Sequence, residues 1–292
     1  MGYLLLLILL STIIGIIKGC LRGLLSVILV LVLVIFGWFV YKHPESNPVE
    51  NIKQFYQSHT QKVEQKPTTD EQTTDYFVER LDDNTESSRD QNNNLLGSAQ
   101  FGAKFVVGEA DELGRPTFAH ILVSDAQEPG QHGLKREGKI KTNPAGWRNY
   151  KLKNQWANDR THLVGYQFSG VNDYYNNLVT ATSYLNRGVE GKGSDESNPD
   201  GMLFYEQLLD SWLATHPNYR LDYYVKPIYE NNGLILKQIY MQWVGVDEDG
   251  NTLPIEIGGH SQETNGDYRY VILTNQSPSY NINYETGQIT LK

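Results

Sequence analysis

The sequence predicts an α+β fold, with an antiparallel sheet core preceded by an N-terminal membrane anchor. Residues 202–214 have the apolar spacing of an amphipathic helix, and two long uncharged runs stand at the start of the chain. Several consecutive strand patterns follow the helix, which favours antiparallel pairing over a parallel sheet with helical crossovers. These strand patterns cover residues 220–228, 235–246, 253–257 and 268–274, the second and third joined by an Asp-Gly turn at 247–251.

Length, charge and cysteine content narrow the class of protein. A chain of 292 residues suits one domain of ordinary size with extensions. The single cysteine, Cys20, excludes an internal disulfide and argues against a zinc or redox role. A net charge of −9 argues against a general nucleic-acid binder. Residues 134–160, however, hold eight basic residues against two acidic ones, and such a local run can steer a polyanion towards one cleft.

The apolar runs at 3–17 and 24–41 predict a membrane anchor over residues 1–42, with one or two transmembrane helices. As a helix the second run is about 27 Å long, enough for a bilayer core, whereas the first, at about 22 Å, is marginal. Lys18 and Arg22 lie between the runs, so the positive-inside rule places this connection in the cytoplasm. Everything after the second run is therefore expected outside the cell.

Residues 43–95 are poor in aliphatic side chains and rich in acids, amides and hydroxyls. Such a segment cannot bury enough apolar area to offset its chain entropy. We predict a disordered polar tether over 43–95, followed by a globular domain over 96–292 on the extracellular side.

The stretch from 159 to 186 carries the most chemistry. His162 follows an Asp-Arg pair, and the amide side chains include Asn177 and Asn186. A base, a cation and a hard oxygen ligand together suit hydrolysis of a phosphodiester. We expect residues 174–185 to form a helix carrying Asn177 and ending near Asn186, and residues 165–168 to be extended. His120, in a predicted strand over 115–125, is interpreted as a packed or surface residue.

Several motifs in this region resemble the bacterial DNA/RNA non-specific endonucleases, the ββα-metal nucleases that include secreted streptococcal DNases and DNA-entry nucleases. The similarity covers roughly residues 100–290, and order and spacing agree throughout. It implies a ββα-metal catalytic unit inserted into the antiparallel sheet core. The motifs include NPAGW at 143–147, NDRTHL at 158–163, GYQF at 165–168, NLVTAT at 177–182 and MLFYE at 202–206.

The resemblance also implies roles for individual residues. His162 falls on the general base, and Asn186 falls on the ligand of a single Mg²⁺, for which Mn²⁺ is a conceivable substitute. Glu206 falls on the glutamate that supports the metal through water. Asp159, Arg160 and Asn177 match accessory positions of the site.

This chain departs from the family pattern at two positions. Thr161 stands where the family usually has glycine, which removes a conformationally free position but leaves the base in place. Asp210 stands where an arginine often follows the glutamate by one turn. A second phosphate clamp is therefore unassigned, with Arg187 as a weak substitute.

Phosphate contacts should dominate substrate binding. Arg160 is suited to hold a non-bridging oxygen of the reacting phosphate. Contacts limited to phosphate and sugar carry little sequence information, so non-specific cleavage of DNA is expected, and the choice between DNA and RNA is open. The residues predicted to bind nucleic acid are Lys135, Arg136, Lys139, Lys141, Lys151 and Lys153.

Other interpretations stay open at this point. His162 alone could be an ordinary polar residue, Asn186 a helix C-cap, Glu206 a solvated helix charge, and the basic run a solvated face. A catalytically silent, membrane-tethered DNA-binding module for DNA uptake is the main alternative function, and a toxin-type nuclease is another. No obligate protein partner is inferred, and the biological role is not determined.

Overall fold

The computed structural model describes residues 78, 80–81, 95–96, 99, 101–136, 138–152, 155–264 and 266–292, all within one structural unit. The predicted anchor over 1–42, and most of the predicted tether over 43–95, lie outside these residues. Within the described part of the chain, no helix is both long and apolar enough to cross a membrane.

A twisted antiparallel sheet forms the centre of the domain, as the sequence predicts. In the described residues it has eight strands in the order β1-β2-β3-β8-β9-β12-β11, with β10 paired to β9. Its long strands are rich in β-branched and aromatic residues, which suit a pleated, buried surface. The strands are β1 Leu95–Leu96, β2 Lys104–Val107, β3 Ala119–Val123, β8 Arg220–Tyr229, β9 Leu236–Val246, β10 Thr252–Leu253, β11 Gln262–Glu263 and β12 Arg269–Thr274.

The predicted strand over 253–257 is largely wrong, because β10 ends at Leu253. Pro254 follows it, and proline has no N–H to donate to a strand ladder. The segment still serves the core, since the Trp243 indole donates to the main-chain oxygen of Ile255 at 3.0 Å.

The two faces of the sheet are packed differently, because successive side chains of a strand point to opposite faces. Ile121 belongs to the main core with Tyr223 and Trp243, whereas Leu122 belongs to a small cluster with Leu81. The main core also packs Leu163 and Leu185 from the 159–186 stretch and the helix α3, Met202–Thr215, close to the predicted 202–214.

Three residues from the predicted tether range contact the sheet or the turn that follows β9. The Leu81 N–H donates to the Asp222 carboxylate at 2.8 Å, and Arg80 donates to the Gly250 main-chain oxygen at 2.8 Å. The main-chain oxygen of Val78 accepts from a glutamine of β9 at 3.2 Å. The packed domain therefore includes these residues, upstream of the predicted boundary at 96.

A separate strand pair and a short helix carry the stretch singled out above. Strand β6, Asn158–His162, pairs antiparallel with β7, Leu178–Thr182, and α2, Ser183–Arg187, follows at once. The predicted helix over 174–185 is therefore wrong for most of its length. β-Branched residues such as Val179 are stiff in a helix and pack well in the pairing with β6.

The Thr182 hydroxyl accepts from the Leu185 N–H at 2.9 Å and so begins α2. Upstream, the predicted extended segment over 165–168 is also wrong. It forms a one-turn helix α1, Tyr166–Ser169, which ends at Gly170 with a left-handed φ of 67°.

Other short elements complete the described part. A 3-10 turn over Tyr175–Asn177 leads into β7. The hairpin of β4 and β5 precedes β6, and a C-terminal hairpin closes the chain. These strands are β4 Lys151–Leu152, β5 Gln155–Trp156, β13 Tyr280–Ile282 and β14 Ile289–Leu291, and two further 3-10 turns span Asp125–Gln127 and Pro129–His132.

Candidate active site

His162 is the last residue of β6, and its ring is held in one orientation. Its side chain is 8% exposed, and its Nε2 lies 2.9 Å from the main-chain oxygen of Asn172. Because a carbonyl oxygen only accepts, Nε2 must carry the proton of the neutral ring. The lone pair of His162 is therefore on Nδ1, where it can accept a proton.

Burial keeps this ring neutral. Desolvation lowers the pKa of His162 to about 4, and the positive charge of Arg136 acts in the same direction. The hydrogen bond to Asn172 and the charge of Asp173 oppose the shift without cancelling it. A neutral imidazole at neutral pH is the form that a general base requires.

Asp159 organises the side chains of α2. Its Oδ1 accepts from the Ser183 hydroxyl at 3.1 Å, and its Oδ2 accepts from Asn186 Nδ2 at 3.0 Å and Arg187 Nε at 2.7 Å. A carboxylate can only accept, so this contact assigns the amide nitrogen of Asn186 to the Asp159 side. The carbonyl oxygen Oδ1 of Asn186 then points away from Asp159, and no hydrogen-bond donor among the described residues contacts it.

An amide oxygen of this kind fits Mg²⁺, which prefers oxygen ligands and retains several waters. In the described residues, no group of three or more His, Cys, Asp or Glu side chains is arranged to hold a metal ion. The candidate ligand in this unit is the fixed amide oxygen of Asn186.

Glu206 lies on α3 and is buried, with 8% of its surface exposed. Its oxygens accept from the Gly165 N–H at 3.1 Å and from Gln167 Nε2 at 3.2 Å. Burial raises the pKa of Glu206 to about 7, and the nearby charge of Asp210 adds to the shift. The solvated-charge interpretation of Glu206 is wrong, because this carboxyl group anchors the segment that directly follows His162.

Asn177 is fully buried, and both ends of its side-chain amide form hydrogen bonds to one residue. Its Oδ1 accepts from the Val164 N–H, and its Nδ2 donates to the Val164 main-chain oxygen, both at 3.0 Å. The Asn177 side chain therefore holds the main chain at Val164, two residues after His162.

Three positions were considered for binding phosphate, and their side chains differ in how free they are to do so. They are 160, 187 and 210. The Arg160 guanidinium stacks on Trp147, 4.1 Å from the ring centroid, and donates to Asn143. Arg187 is occupied, since it donates to Asp159 and to the main-chain oxygens of two glycines at 191 and 193. Asp210, in place of the family arginine, has a pKa raised by burial and by the charge of Asp125.

The first part of the basic run lies beside His162. Arg136 Nε donates to the Asn172 side chain at 2.6 Å, and the main-chain N–H groups of Lys141 and Thr142 donate to Asp173. No sequence motif pointed to Asn172 or Asp173, which hold this loop next to the histidine. Lys135 and Lys139 are exposed in the same loop, Lys151 is exposed in β4, and Lys153 lies outside the described residues.

The α+β fold with its antiparallel sheet and the comparisons below identify a nucleic-acid hydrolase. Residues 98–243 match the family described as DNA/RNA non-specific endonuclease, and the chain belongs to that family. No match was found among curated protein sequences.

Two solved structures with more than 30% identity agree with this assignment. One, an extracellular nuclease, is 38% identical over 65% of this chain and 94% of its own, with a TM-score of 0.54. Another, an extracellular endonuclease, is 39% identical over 64% of this chain and 86% of its own, with a TM-score of 0.55. NucA from Streptococcus agalactiae with magnesium bound is 22% identical over 69% of this chain and 85% of its own, with a TM-score of 0.47.

Proposed function

We propose that this chain is a membrane-anchored, Mg²⁺-dependent endonuclease that cleaves DNA, with RNA as a second candidate substrate, without sequence preference. One observation carries the proposal. A single ββα unit combines a neutral histidine and an asparagine, and among the described residues no hydrogen-bond partner contacts His162 Nδ1 or Asn186 Oδ1.

In this mechanism His162 Nδ1 takes the proton from the attacking water. The resulting imidazolium is stabilised through Nε2–H, which donates to the Asn172 carbonyl. Asp159 holds Asn186 so that its Oδ1 can bind Mg²⁺, with Mn²⁺ as a candidate replacement. A bound divalent ion would offset charge on the phosphate and on the departing 3′ oxygen.

The remaining residues would bind the phosphates of the substrate and support the metal. Arg160 would hold a non-bridging phosphate oxygen, while its stacking on Trp147 limits the freedom of its side chain. Glu206 would act on the metal through water in addition to anchoring Gly165. The basic residues between 135 and 153 would contact neighbouring phosphates, which gives affinity without sequence preference.

The proposed activity is tested by incubating the purified full-length chain with plasmid DNA and with a long RNA, each with Mg²⁺ or EDTA. We expect fragments of many lengths with Mg²⁺ and intact substrate with EDTA. Binding without cleavage under every metal condition would instead identify a silent DNA-binding module.

The pH dependence of the reaction reports on His162. It acts as a base only when neutral, and its pKa of about 4 keeps it neutral down to about pH 5. In Glu206→Gln, which removes the carboxyl group with a pKa of about 7, we therefore expect kcat/KM to stay level from pH 7 to about pH 5 and to fall as the pH drops through about 4. An acidic limb centred at about 6.5, the ordinary histidine value, would contradict this environment for His162.

The orientation of the domain is a further part of the proposal. Residues 3–41 would anchor the chain in the lipid bilayer, with the nuclease domain outside the cell. Protease added to intact cells should then release soluble nuclease by cutting between residues 43 and 77, upstream of the contacts of Val78. Protection of the domain until the membrane is broken would place it inside the cell.

A further inference from the structure

Trp156 is the most exposed Trp, Tyr or Phe among the described residues, with 56% of its surface accessible. An indole is a large apolar surface, and it contributes favourable free energy mainly when another group covers it and removes it from water. Single exposed apolar residues are common in proteins, so exposure alone assigns no role. The surroundings of Trp156 are what give it one.

Trp156 shares a face of its hairpin with a lysine. Lys151 of β4 lies directly opposite Trp156 of β5 in the antiparallel register. Directly paired residues project to the same side, so the side chains of Trp156 and Lys151 leave the hairpin on one face. Both are exposed, which makes a cationic and aromatic surface of the kind that binds single-stranded nucleic acid.

The main chain of this hairpin is fixed to the metal-site helix α2. The Trp156 main-chain oxygen accepts from the Ser183 hydroxyl at 3.4 Å, and the Ala157 oxygen accepts from the Ser183 N–H at 3.1 Å. The same Ser183 hydroxyl contacts Asp159, which orients Asn186.

The short length of α2 brings the main chain of Trp156 close to Asn186, the proposed site of the reacting phosphate. Ser183 begins α2 and Asn186 lies three residues further on, which is about 4.5 Å along a helix axis. The main chain of Trp156 therefore lies within a few base steps of Asn186, since base steps are about 3.4 Å apart.

We propose that Trp156 stacks on a nucleobase beside the scissile phosphate and so favours unpaired nucleotides as substrate. In a duplex both faces of each base are covered by its neighbours, whereas an unpaired base can offer a face to the indole. Any base has such a face, so this contact adds affinity without sequence preference. The inference rests on the proposed nuclease function and names the strand state that it prefers.

The test compares wild type with Trp156→Ala and Trp156→Phe in the full-length chain. Three labelled probes are used: a dT 20-mer, the same strand in a duplex with dA, and a 20-mer of abasic residues. Affinity is measured by fluorescence anisotropy in EDTA, and kcat/KM on the dT 20-mer is measured with Mg²⁺.

We expect Trp156→Ala to weaken dT binding by about 5- to 150-fold, the range for loss of one stacked base. Trp156→Phe should lose less affinity for dT than Trp156→Ala, because phenylalanine keeps an aromatic face. Duplex binding should change little, and abasic binding should not change. The kcat/KM on dT should fall by about the same factor as affinity.

Leu113→Ala is the matched control, since Leu113 is 43% exposed in a loop outside the site. If Trp156→Ala melts at a lower temperature, Trp156→Leu replaces it, because leucine keeps apolar bulk without an aromatic face. Unchanged dT affinity, or equal losses on dT and abasic probes, would overturn the stacking role. A wild-type protein that cleaves no probe would instead remove the proposed function itself.

Discussion

His162→Ala should lower kcat on plasmid DNA by at least about 100-fold, the lower end of the range for loss of a general base. The reason is geometric, because Nε2 is engaged by the Asn172 carbonyl and only Nδ1 is available for the water proton. Alanine leaves the rest of β6 in place, so the thermal unfolding midpoint should change much less than activity. Initial rates at saturating Mg²⁺, with melting curves of both proteins, measure the two effects.

His120→Ala is the matched control for this variant. His120 is buried in β3 and lies 2.5 Å from the Asp222 carboxylate, on the sheet face that packs Leu81. Its loss should lower stability, because the buried Asp222 carboxylate loses its side-chain partner and keeps the Leu81 N–H, while the rate per folded molecule stays unchanged. Added imidazole is expected to restore part of the activity of His162→Ala and none in the control. Full activity of His162→Ala would remove the mechanism.

Asn186→Ala should have the second-largest effect and should abolish Mg²⁺-dependent cleavage at concentrations that saturate wild type. The proposed site draws one oxygen from the protein, so no second side chain would compensate. Two titrations measure this: activity against Mg²⁺ concentration, and the rise in melting temperature that Mg²⁺ produces by binding the folded state. Both responses should be lost together in the variant.

Two further substitutions sharpen this prediction. Asp159→Asn keeps the shape of the side chain but allows the Asn186 amide to rotate, so it should raise the required Mg²⁺ concentration without abolishing cleavage. Asn177→Ala should lower stability, since both amide ends hold Val164, and leave the Mg²⁺ requirement of the folded protein unchanged. Unaltered Mg²⁺ dependence in Asn186→Ala would place the ligand elsewhere.

Long periodic segments were predictable from the sequence. The helix Met202–Thr215 and the strands Arg220–Tyr229, Leu236–Val246 and Arg269–Thr274 lie close to their predicted ranges. Each is long enough for its apolar period to distinguish helix from strand.

Short apolar segments were not predictable in the same way. Residues 174–185 have small and apolar side chains that fit either a helix or a strand over a few positions. The pairing of Leu178–Thr182 with β6 decides the outcome, and that contact is remote in sequence. The helix begins only at Ser183, after the Thr182 cap.

The sequence by itself determined the family and the identity of the candidate chemical groups, because both depend on residue types in a fixed linear order. The tertiary structure decided what those groups can do. The tautomer of His162 depends on a carbonyl ten residues away, and the rotamer of Asn186 depends on a carboxylate 27 residues away. Strand pairing and helix docking determine these partners, and they cannot be predicted from the residues adjacent in sequence.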